Sequence, residues 1–168
     1  MGLKHIKMLV MDVDGVLTDA KIVFNEEGVK SQAFNVIDGT GIKYLIRAGI
    51  KTAVITGRGF GVIEHRARQL GIPDVYQGVD DKLPALSHLL KKHRLKPSEV
   101  CYIGDDLMDI PVMRQVGYPV AVRNARPEVK RYARYITRNE GGNGAVRELA
   151  EKILKAQGRW AGILKRYI

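Results

Sequence analysis

The most constraining feature of the sequence is a largely apolar run, residues 6–11, that ends directly in the aspartates Asp12 and Asp14. An apolar run of this length is typical of a buried strand in a parallel sheet. Side chains two positions apart on a strand point to the same face, so both carboxylates are expected to face one site. Because parallel sheets bind ligands at the carboxyl ends of their strands, the pair predicts a site at that edge.

The composition is that of a soluble globular protein. The 168 residues are 45% apolar and 27% charged, and we expect them to form a single domain, 1–168. The sequence has no run of about 18 apolar residues, and its N-terminal segment does not have the pattern of a signal peptide. Cys101 is the single cysteine, so no internal disulfide is expected. These features predict a cytoplasmic protein without a membrane span.

The net charge of +10 is concentrated in the last quarter of the chain. Residues 123–168 contain 12 Lys and Arg against 4 Asp and Glu, whereas the rest of the chain is nearly balanced. Such a surplus attracts anions. No aromatic or groove-reading motif accompanies it, so nucleic acid is not the expected partner.

Apolar runs and helical periodicity alternate along the chain. Glycines and prolines stand between them, as they do at the ends of strands and helices. This alternation predicts an α/β fold with a doubly wound parallel sheet. The predicted strands are 6–11, 51–55, 75–76, 100–103, 120–122 and 135–137. One predicted helix ends near residue 70, and the others cover 82–94, 110–116, 127–133 and 145–157.

Two segments stand outside the alternation. The first is a predicted β-hairpin insertion at about 20–37, whose β-prone arms, 21–24 and 29–36, flank the turn sequence Asn25-Glu26-Glu27-Gly28. The second is a C-terminal tail at about 158–168, in which Trp160, Ile163, Leu164 and Tyr167 recur at helical spacing. The tail is therefore predicted to pack through an apolar face, within the chain or on a neighbouring subunit.

The ends of the predicted strands carry residues that suit phosphate chemistry. Clustered carboxylates repel one another unless a cation lies among them, and an all-oxygen set favours Mg²⁺ over zinc. A lysine and a threonine beside that cation would bind a phosphoryl group, and a carboxylate can act as the nucleophile. These strand-end residues are Asp12, Asp14, Thr56, Lys82, Asp105, Asp106 and Asp109.

The order of these residues resembles that of the haloacid dehalogenase superfamily of phosphatases. The four matching motifs are Asp12-Val13-Asp14-Gly15-Val16, Thr56, Lys82 and Gly104-Asp105-Asp106-x-x-Asp109. The resemblance implies that Asp12 is the nucleophile and Asp14 the general acid and base. It also implies that Thr56 and Lys82 bind the transferring phosphoryl group.

The same resemblance implies a Mg²⁺ site. Asp12, the backbone carbonyl of Asp14 and Asp105 would hold the ion, with Asp109 in support. It also implies a Rossmann-like core.

Further segments carry a narrower resemblance that covers nearly the whole chain. They are Asp12 to Asp19, Asp38-Gly39-x-Gly41-Ile42, Ile55-Thr56-Gly57-Arg58, Leu70-Gly71-Ile72, Gln77-Gly78, Gly104-Asp105-Asp106, Gly141-Gly142-x-Gly144-Ala145-x-Arg147-Glu148 and Ile153-Leu154-x-Ala156-Gln157-Gly158. In these segments the chain resembles the 3-deoxy-D-manno-octulosonate 8-phosphate phosphatases of that superfamily. The resemblance implies a phosphomonoesterase of lipopolysaccharide sugar synthesis that assembles as a homotetramer. Many members of that family carry an arginine where this chain has Ile37.

Candidate substrate-binding residues follow from those shared segments and from charge. Arg58 and Arg66 are candidates for the sugar-acid carboxylate, and Gly57 and Asp38 are further candidates. A surface arginine is an equally common reading of either guanidinium.

The spacing of the motifs predicts a form without a cap domain. Only 41 residues separate Asp14 from Thr56, and the hairpin uses much of that length. An open site needs a shield against water, from another subunit or from a macromolecular substrate. The resemblance implies the first route, with hairpins packed centrally and tails that reach a neighbour's site.

Three alternatives remain open from the sequence. The substrate can be a sialic-type acid 9-phosphate. A receiver-type signalling domain shares the acids, Thr and Lys, although its adjacent acid pair follows the first strand rather than a late one. A non-catalytic RNA-binding protein on the same fold would account for the basic C-terminal segment.

Overall fold

The computed structural model describes residues 2–59 and 61–168. Six of its strands form one sheet in which every neighbouring pair is parallel, in the order β5–β4–β1–β6–β7–β8. The two others form a separate antiparallel hairpin. The strands are β1 (Met8–Met11), β2 (Val23–Phe24), β3 (Lys30–Ser31), β4 (Lys51–Ile55), β5 (Asp74–Tyr76), β6 (Val100–Gly104), β7 (Tyr118–Ala121) and β8 (Tyr135–Ile136).

Helices connect the strands of the main sheet. The chain runs from β1 outward to β5 on one side and then returns to build β6, β7 and β8 on the other, which confirms the predicted doubly wound α/β fold. None of the described helices is long and apolar enough to cross a bilayer. The helices are α1 (Val36–Arg47), α2 (Gly61–Leu70), α3 (Leu83–His93), α4 (Ile110–Met113), α5 (Pro127–Lys130), α6 (Ala145–Ala156) and α7 (Trp160–Leu164).

The centre of the sheet is fully buried. All four residues of β1 have no exposed surface, and Val100 to Ile103 of β6 are equally inaccessible. Two-sided burial is the reason that both segments read as apolar runs in the sequence. Successive strands are added to one side of β1 through β4 and then to the other side through β6. Ligands bind where the strand order reverses in this way, so the site is expected at the carboxyl ends of these three strands.

Helix α1 is the main departure from the sequence prediction. The second arm of the hairpin was expected to continue to Val36, and the insertion to Ile37, but both residues belong to the first turn of α1. The side chain of Asn35 accepts hydrogen bonds from the backbone N–H groups of Ile37 and Asp38, which starts the helix. The β-branched pair at 36 and 37 has a strand-like pattern, so the prediction of an extended arm was wrong there.

Helix α1 is held against α6 by one buried carboxylate. Asp38 is 1% exposed and accepts hydrogen bonds from the backbone N–H of Gly144, at 3.0 Å, and of Arg147, at 2.8 Å. Gly144 at the start of α6 has no side chain to serve as a cap, so Asp38 caps that helix from α1. Gly41 permits the close approach, because a Cβ there would lie 2.8 Å from the Cα of Arg147.

The hairpin is short and its apolar side chains are exposed. The predicted glycine turn is present: Asn25 Oδ1 accepts hydrogen bonds from the N–H groups of Glu27 and Val29, and Gly28 has a φ of +76°. Val23 and Phe24 are 59% and 57% exposed. A two-stranded ribbon with outward apolar residues is marginally stable unless it packs against something.

The C-terminal tail folds back on its own chain. The rings of Tyr44 and Trp160 lie 6.0 Å apart in an edge-to-face arrangement, and Ile163 is buried. The ring of Tyr167 lies 6.2 Å from that of Tyr44 in a tilted arrangement, and its hydroxyl accepts a hydrogen bond from Arg47. Of the two docking sites predicted for the tail, the structure shows the intramolecular one.

Replacing Asp38 by Ala is expected to destabilise the protein by about 1–3 kcal/mol, because two buried N–H groups at the start of α6 lose their acceptor. Urea denaturation monitored by circular dichroism measures the change. Glu128→Ala is the matched control, since Glu128 is an exposed acid in the first turn of α5. It should cost no more than about 0.5 kcal/mol. Equal losses in the two variants would contradict the capping role.

Candidate active site

Three adjacent strands deliver the acidic residues to one cleft. Asp12 follows β1, Thr56 follows β4 and Asp105 follows β6, and the backbone N–H of Asp12 donates to the carbonyl of Ile103 at 3.1 Å. The cleft has a volume of about 180 Å³. Its lining is Asp12, Asp14, Ala20, Thr56, Gly57, Arg58, Lys82, Asp105, Asp106, Met108 and Asp109. The structure thus brings together all seven predicted strand-end residues.

Two glycines, one in the turn after β1 and one in the loop before α6, lie where a side chain would not fit. Gly15 has a φ of +83°, and a Cβ there would overlap the carboxylate of Asp105. The hydroxyl of Thr18 donates to the carbonyl of Val13 and accepts from the N–H of Gly15, which closes the turn. A Cβ at Gly141 would overlap the carbonyl of Gly15, so the loop before α6 fixes this turn from outside.

The carboxylates of Asp12, Asp105 and Asp109 have oxygens within 4.8 Å of one another. Burial, and then the charge of Asp109, raises the pKa of Asp12 to about 7. Burial, together with the charges of Asp12 and Asp109, raises the pKa of Asp105 to about 8. Carboxylates crowded in this way keep their ordinary acidity only with more positive charge than Lys82 alone supplies.

The donor set of this cluster fits a hard divalent cation. Asp105 Oδ1 is buried and accepts no hydrogen bond from the residues that the structure describes. Asp12 Oδ1 lies 2.9 Å from Lys82 Nζ, within ion-pair distance, but receives no well-directed hydrogen bond from a described residue. Two unbonded buried carboxylate oxygens, with oxygen ligands only, suit Mg²⁺. Asp12 and Asp105 are therefore the side chains that would hold the ion.

Asp109 occupies a different position in the cluster. Its Oδ2 accepts hydrogen bonds from the backbone N–H groups of Asp105, at 2.8 Å, and Asp106, at 3.2 Å. Its Oδ1 accepts from Lys82 Nζ at 2.7 Å and from the hydroxyl of Tyr102 at 2.6 Å. With both oxygens bonded, Asp109 supports the loop and the lysine, and direct coordination would break one of these bonds.

Lys82 is buried between two carboxylates. It is 3% exposed, and its ammonium contacts Asp12 and Asp109. Burial by itself lowers the pKa of Lys82, but the charges of Asp12 and Asp109 outweigh that effect and raise it. Lys82 therefore stays protonated and offers a fixed positive charge beside Asp12.

Asp14 points from the same turn toward the hairpin side of the cleft. Its Oδ1 accepts a hydrogen bond from Gln32 Nε2 at 2.6 Å, and its Oδ2 lies 3.3 Å from Arg58 Nε. From the sequence Arg58 was a candidate for the sugar-acid carboxylate rather than a partner of Asp14, and Gln32 was missed. A glutamine within a predicted hairpin arm has no spacing that marks it, so only the fold of the hairpin shows the contact.

Comparison with known proteins identifies relatives over nearly the whole chain. A family model for haloacid dehalogenase-like hydrolases matches residues 68–149. The 3-deoxy-D-manno-octulosonate 8-phosphate phosphatase KdsC of Yersinia pestis is 49% identical over 158 residues, which cover 94% of this chain and 84% of the relative. The corresponding phosphatase of Escherichia coli K12 is 47% identical, over 93% of this chain and 83% of that protein.

A solved structure agrees in fold. The 3-deoxy-D-manno-octulosonate 8-phosphate phosphatase of Moraxella catarrhalis, in complex with magnesium, phosphate and KDO, superposes with a TM-score of 0.96 at 44% identity. The match covers 99% of this chain and 95% of that one. The chain belongs to the 3-deoxy-D-manno-octulosonate 8-phosphate phosphatase family of haloacid dehalogenase-like hydrolases.

Of the four predicted substrate-binding residues, two lie in the cleft and two lie outside it. Gly57 and Arg58 line it, and a Cβ at Gly57 would lie 3.1 Å from Met108 Cε. Asp38 and Arg66 line a separate, more apolar pocket. The carboxylate of Asp38 is already bonded to α6, and its contacts favour a structural role.

Arg66 is also engaged within the chain. Its guanidinium donates to the carbonyl of Asn35 at 3.2 Å and to Gln69 Oε1 at 2.6 Å, and it lies over the ring of Phe34. Its role in binding substrate remains a prediction, as does that of Asp38.

Asp105→Asn is expected to weaken Mn²⁺ binding at least about tenfold, because a neutral amide replaces a carboxylate whose buried Oδ1 is free to coordinate the ion. Electron paramagnetic resonance of free Mn²⁺, with Mg²⁺ as competitor, measures the affinity. Asp106→Asn is the matched control, since Asp106 is the adjacent acid and caps the turn at Leu107 instead. It should change the affinity less than about threefold. An unchanged affinity in Asp105→Asn would remove this residue from the metal site.

Proposed function

We propose that the protein is a Mg²⁺-dependent phosphomonoesterase that hydrolyses 3-deoxy-D-manno-octulosonate 8-phosphate to the free sugar acid and inorganic phosphate. The observation that supports this most is the single cleft in which Asp12, Lys82 and Asp105 meet. A nucleophilic carboxylate, a fixed ammonium and a cation site are the parts that phosphoryl transfer needs. The relatives that share nearly the whole chain carry this substrate in their names.

In the first chemical step a carboxylate oxygen of Asp12 forms a bond to phosphorus. The bond from phosphorus to the sugar oxygen breaks, and Asp14 gives its proton to that leaving oxygen. Lys82 and Thr56 bind the equatorial phosphoryl oxygens. Mg²⁺ held by Asp12 and Asp105 would supply further positive charge to those oxygens.

In the second step Asp14 takes a proton from a water molecule. The water oxygen bonds to phosphorus and the bond to Asp12 breaks, which releases inorganic phosphate and restores the free carboxylate. Gln32 and Arg58 hold the carboxylate of Asp14 on its two oxygens, so the group that moves the proton is fixed on the hairpin side.

The test is phosphate release with Mg²⁺ on a panel of esters: the octulosonate 8-phosphate, a sialic-type acid 9-phosphate, common sugar phosphates and a phosphopeptide. The octulosonate ester should give the highest kcat/KM, and Asp12→Asn should lower kcat by at least about 10³-fold because the nucleophile is lost. Asp19→Asn, an exposed acid of the same loop, is the folded control with wild-type turnover.

The outcomes separate mechanism from substrate. The resemblance places an arginine of many family members where this chain has Ile37, and this difference gives the 9-phosphate its place on the panel. Preference for that ester would keep the mechanism and reject the substrate. An absence of turnover on every ester would reject the enzyme and favour the receiver or RNA-binding alternatives.

We also propose that the protein acts in the cytoplasm, in lipopolysaccharide sugar synthesis, as a homotetramer. The buried free thiol of Cys101 suits a reducing compartment. The hairpin supports the assembly, because Val23, Phe24 and Val29 and the adjoining Val36 and Ile37 are each more than half exposed. A patch of large apolar residues on this scale is typical of a protein interface.

Phe24→Ser combined with Val23→Ser is expected to dissociate the assembly into smaller species, because both changes remove apolar area from the patch. Sedimentation velocity measures the oligomer. Tyr132→Ser, at a comparably exposed ring on the chain beyond α5, is the control and should leave sedimentation unchanged. A monomeric wild type, or a double variant that still sediments as a tetramer, would rule out the hairpin as the interface.

A further inference from the structure

A buried phenol lies directly beneath the cleft. Tyr102 is on the central strand β6 and has no exposed surface. Its hydroxyl lies 2.6 Å from Asp109 Oδ1 and 3.3 Å from Lys82 Nζ. It does not line the cleft, so it acts on the site only through these two neighbours.

The direction of each hydrogen bond follows from the groups present. An ammonium can only donate, so Lys82 donates to the Tyr102 oxygen. The single phenolic proton is then directed to Asp109, which is an acceptor. Burial, together with the charge of Asp109, raises the pKa of Tyr102, so the proton stays on the phenol.

Tyr102 completes the bonding of both charged groups. The ammonium of Lys82 donates hydrogen bonds to Asp109 and Tyr102 and lies at ion-pair distance, 2.9 Å, from Asp12. Asp109 Oδ1 has two donors, Lys82 and Tyr102, while its Oδ2 holds the loop at Asp105. Without the hydroxyl, Lys82 and Asp109 would each lose one bond in a buried setting.

We propose that Tyr102 is a positioning residue that fixes the ammonium of Lys82 toward Asp12 by holding Asp109 in place. The inference rests on the proposed phosphatase reaction and assigns to it a residue that does not touch the substrate. A lysine with a free rotation would still attract a phosphate dianion, but it would not match the charge that develops in the transition state. The effect of Tyr102 should therefore fall on kcat rather than on KM.

The test compares Tyr102→Phe with wild type. We expect kcat to fall about tenfold with KM within about twofold, since the ring remains and only the hydroxyl is lost. Affinity for orthovanadate with Mg²⁺, measured by calorimetry, should fall about as much as kcat, and affinity for inorganic phosphate should change less than about twofold. Incorporation of 3-fluorotyrosine at position 102, which retains the hydroxyl, should restore both kcat and the affinity for orthovanadate.

Tyr118→Phe is the matched control. Tyr118 lies on the neighbouring strand β7, is 8% exposed, and its hydroxyl has no hydrogen-bond partner in the described part of the chain. It should leave kcat and vanadate affinity unchanged. A second test is a cycle with Asp109→Asn: if Tyr102 acts through Asp109, the loss caused by Tyr102→Phe should shrink in that background.

Each other outcome rejects the proposal. Wild-type kcat and vanadate affinity in Tyr102→Phe would show that the hydroxyl is dispensable. Equal losses in KM, phosphate and vanadate affinity would show uniform binding, and a variant unfolded at the assay temperature would show a role in folding alone. Because orthovanadate needs no ester, the vanadate measurement decides the role of Tyr102 even where wild type turns over none of the proposed substrates.

Discussion

The concentration of negative charge at the carboxyl ends of β1 and β6 is the constraint on which the rest of the site depends. Two unit charges 4.8 Å apart repel by roughly 3.5 kcal/mol at an effective dielectric constant of about 20. The cluster of Asp12, Asp105 and Asp109 contains three such pairs. One buried ammonium, Lys82, lies against two of the three carboxylates and offsets only part of the repulsion. The negative charge that Lys82 leaves uncompensated favours the binding of a cation in the cleft.

The fold bears this unfavourable arrangement because backbone groups fix the acids in place. Asp109 is held by two backbone N–H groups and by Tyr102, and the turn that carries Asp12 is closed by Thr18. The carboxylate of Asp105 packs directly against Gly15, where a Cβ would overlap it. The repulsion between the acids is thus balanced by hydrogen bonds in the loops around them, as is common where a protein holds reactive groups.

The sequence predicted the parts of the structure that local pattern determines. Buried strands such as β1 and β6 are apolar on both faces, so their positions and the acids that follow them were readable from the chain. Helix α1 was not, because Val36 and Ile37 have strand-like side chains, and glycines at 39 and 41 weaken a helical pattern. Its stability comes from Asn35 at its start and from contact with α6, which is more than 100 residues away in the sequence.

The residues of the site likewise divide into those that local sequence pattern predicts and those that distant contacts decide. Asp12, Asp14 and Asp105 lie at strand ends and were expected to meet, whereas Tyr102 is inside a strand and reads as one more core residue. Gln32 and Asp38 also depend on distant contacts: one reaches Asp14 from the hairpin, and the other reaches α6. Side chains that act through a neighbour leave no spacing in the sequence, because only the fold decides which neighbour they have.

The hairpin links the proposed chemistry with the proposed assembly. Its inner side bears Gln32, which donates a hydrogen bond to Asp14, the residue proposed to transfer the proton, and its first arm carries the exposed Val23 and Phe24. A ribbon of two-residue strands is too small to keep Gln32 in a fixed position without packing against another surface. The contact to Asp14 therefore gains precision if the apolar arms are covered. The same packing would shield the open cleft from water, so one short insertion can take the place of a cap domain, an element that the described residues do not include.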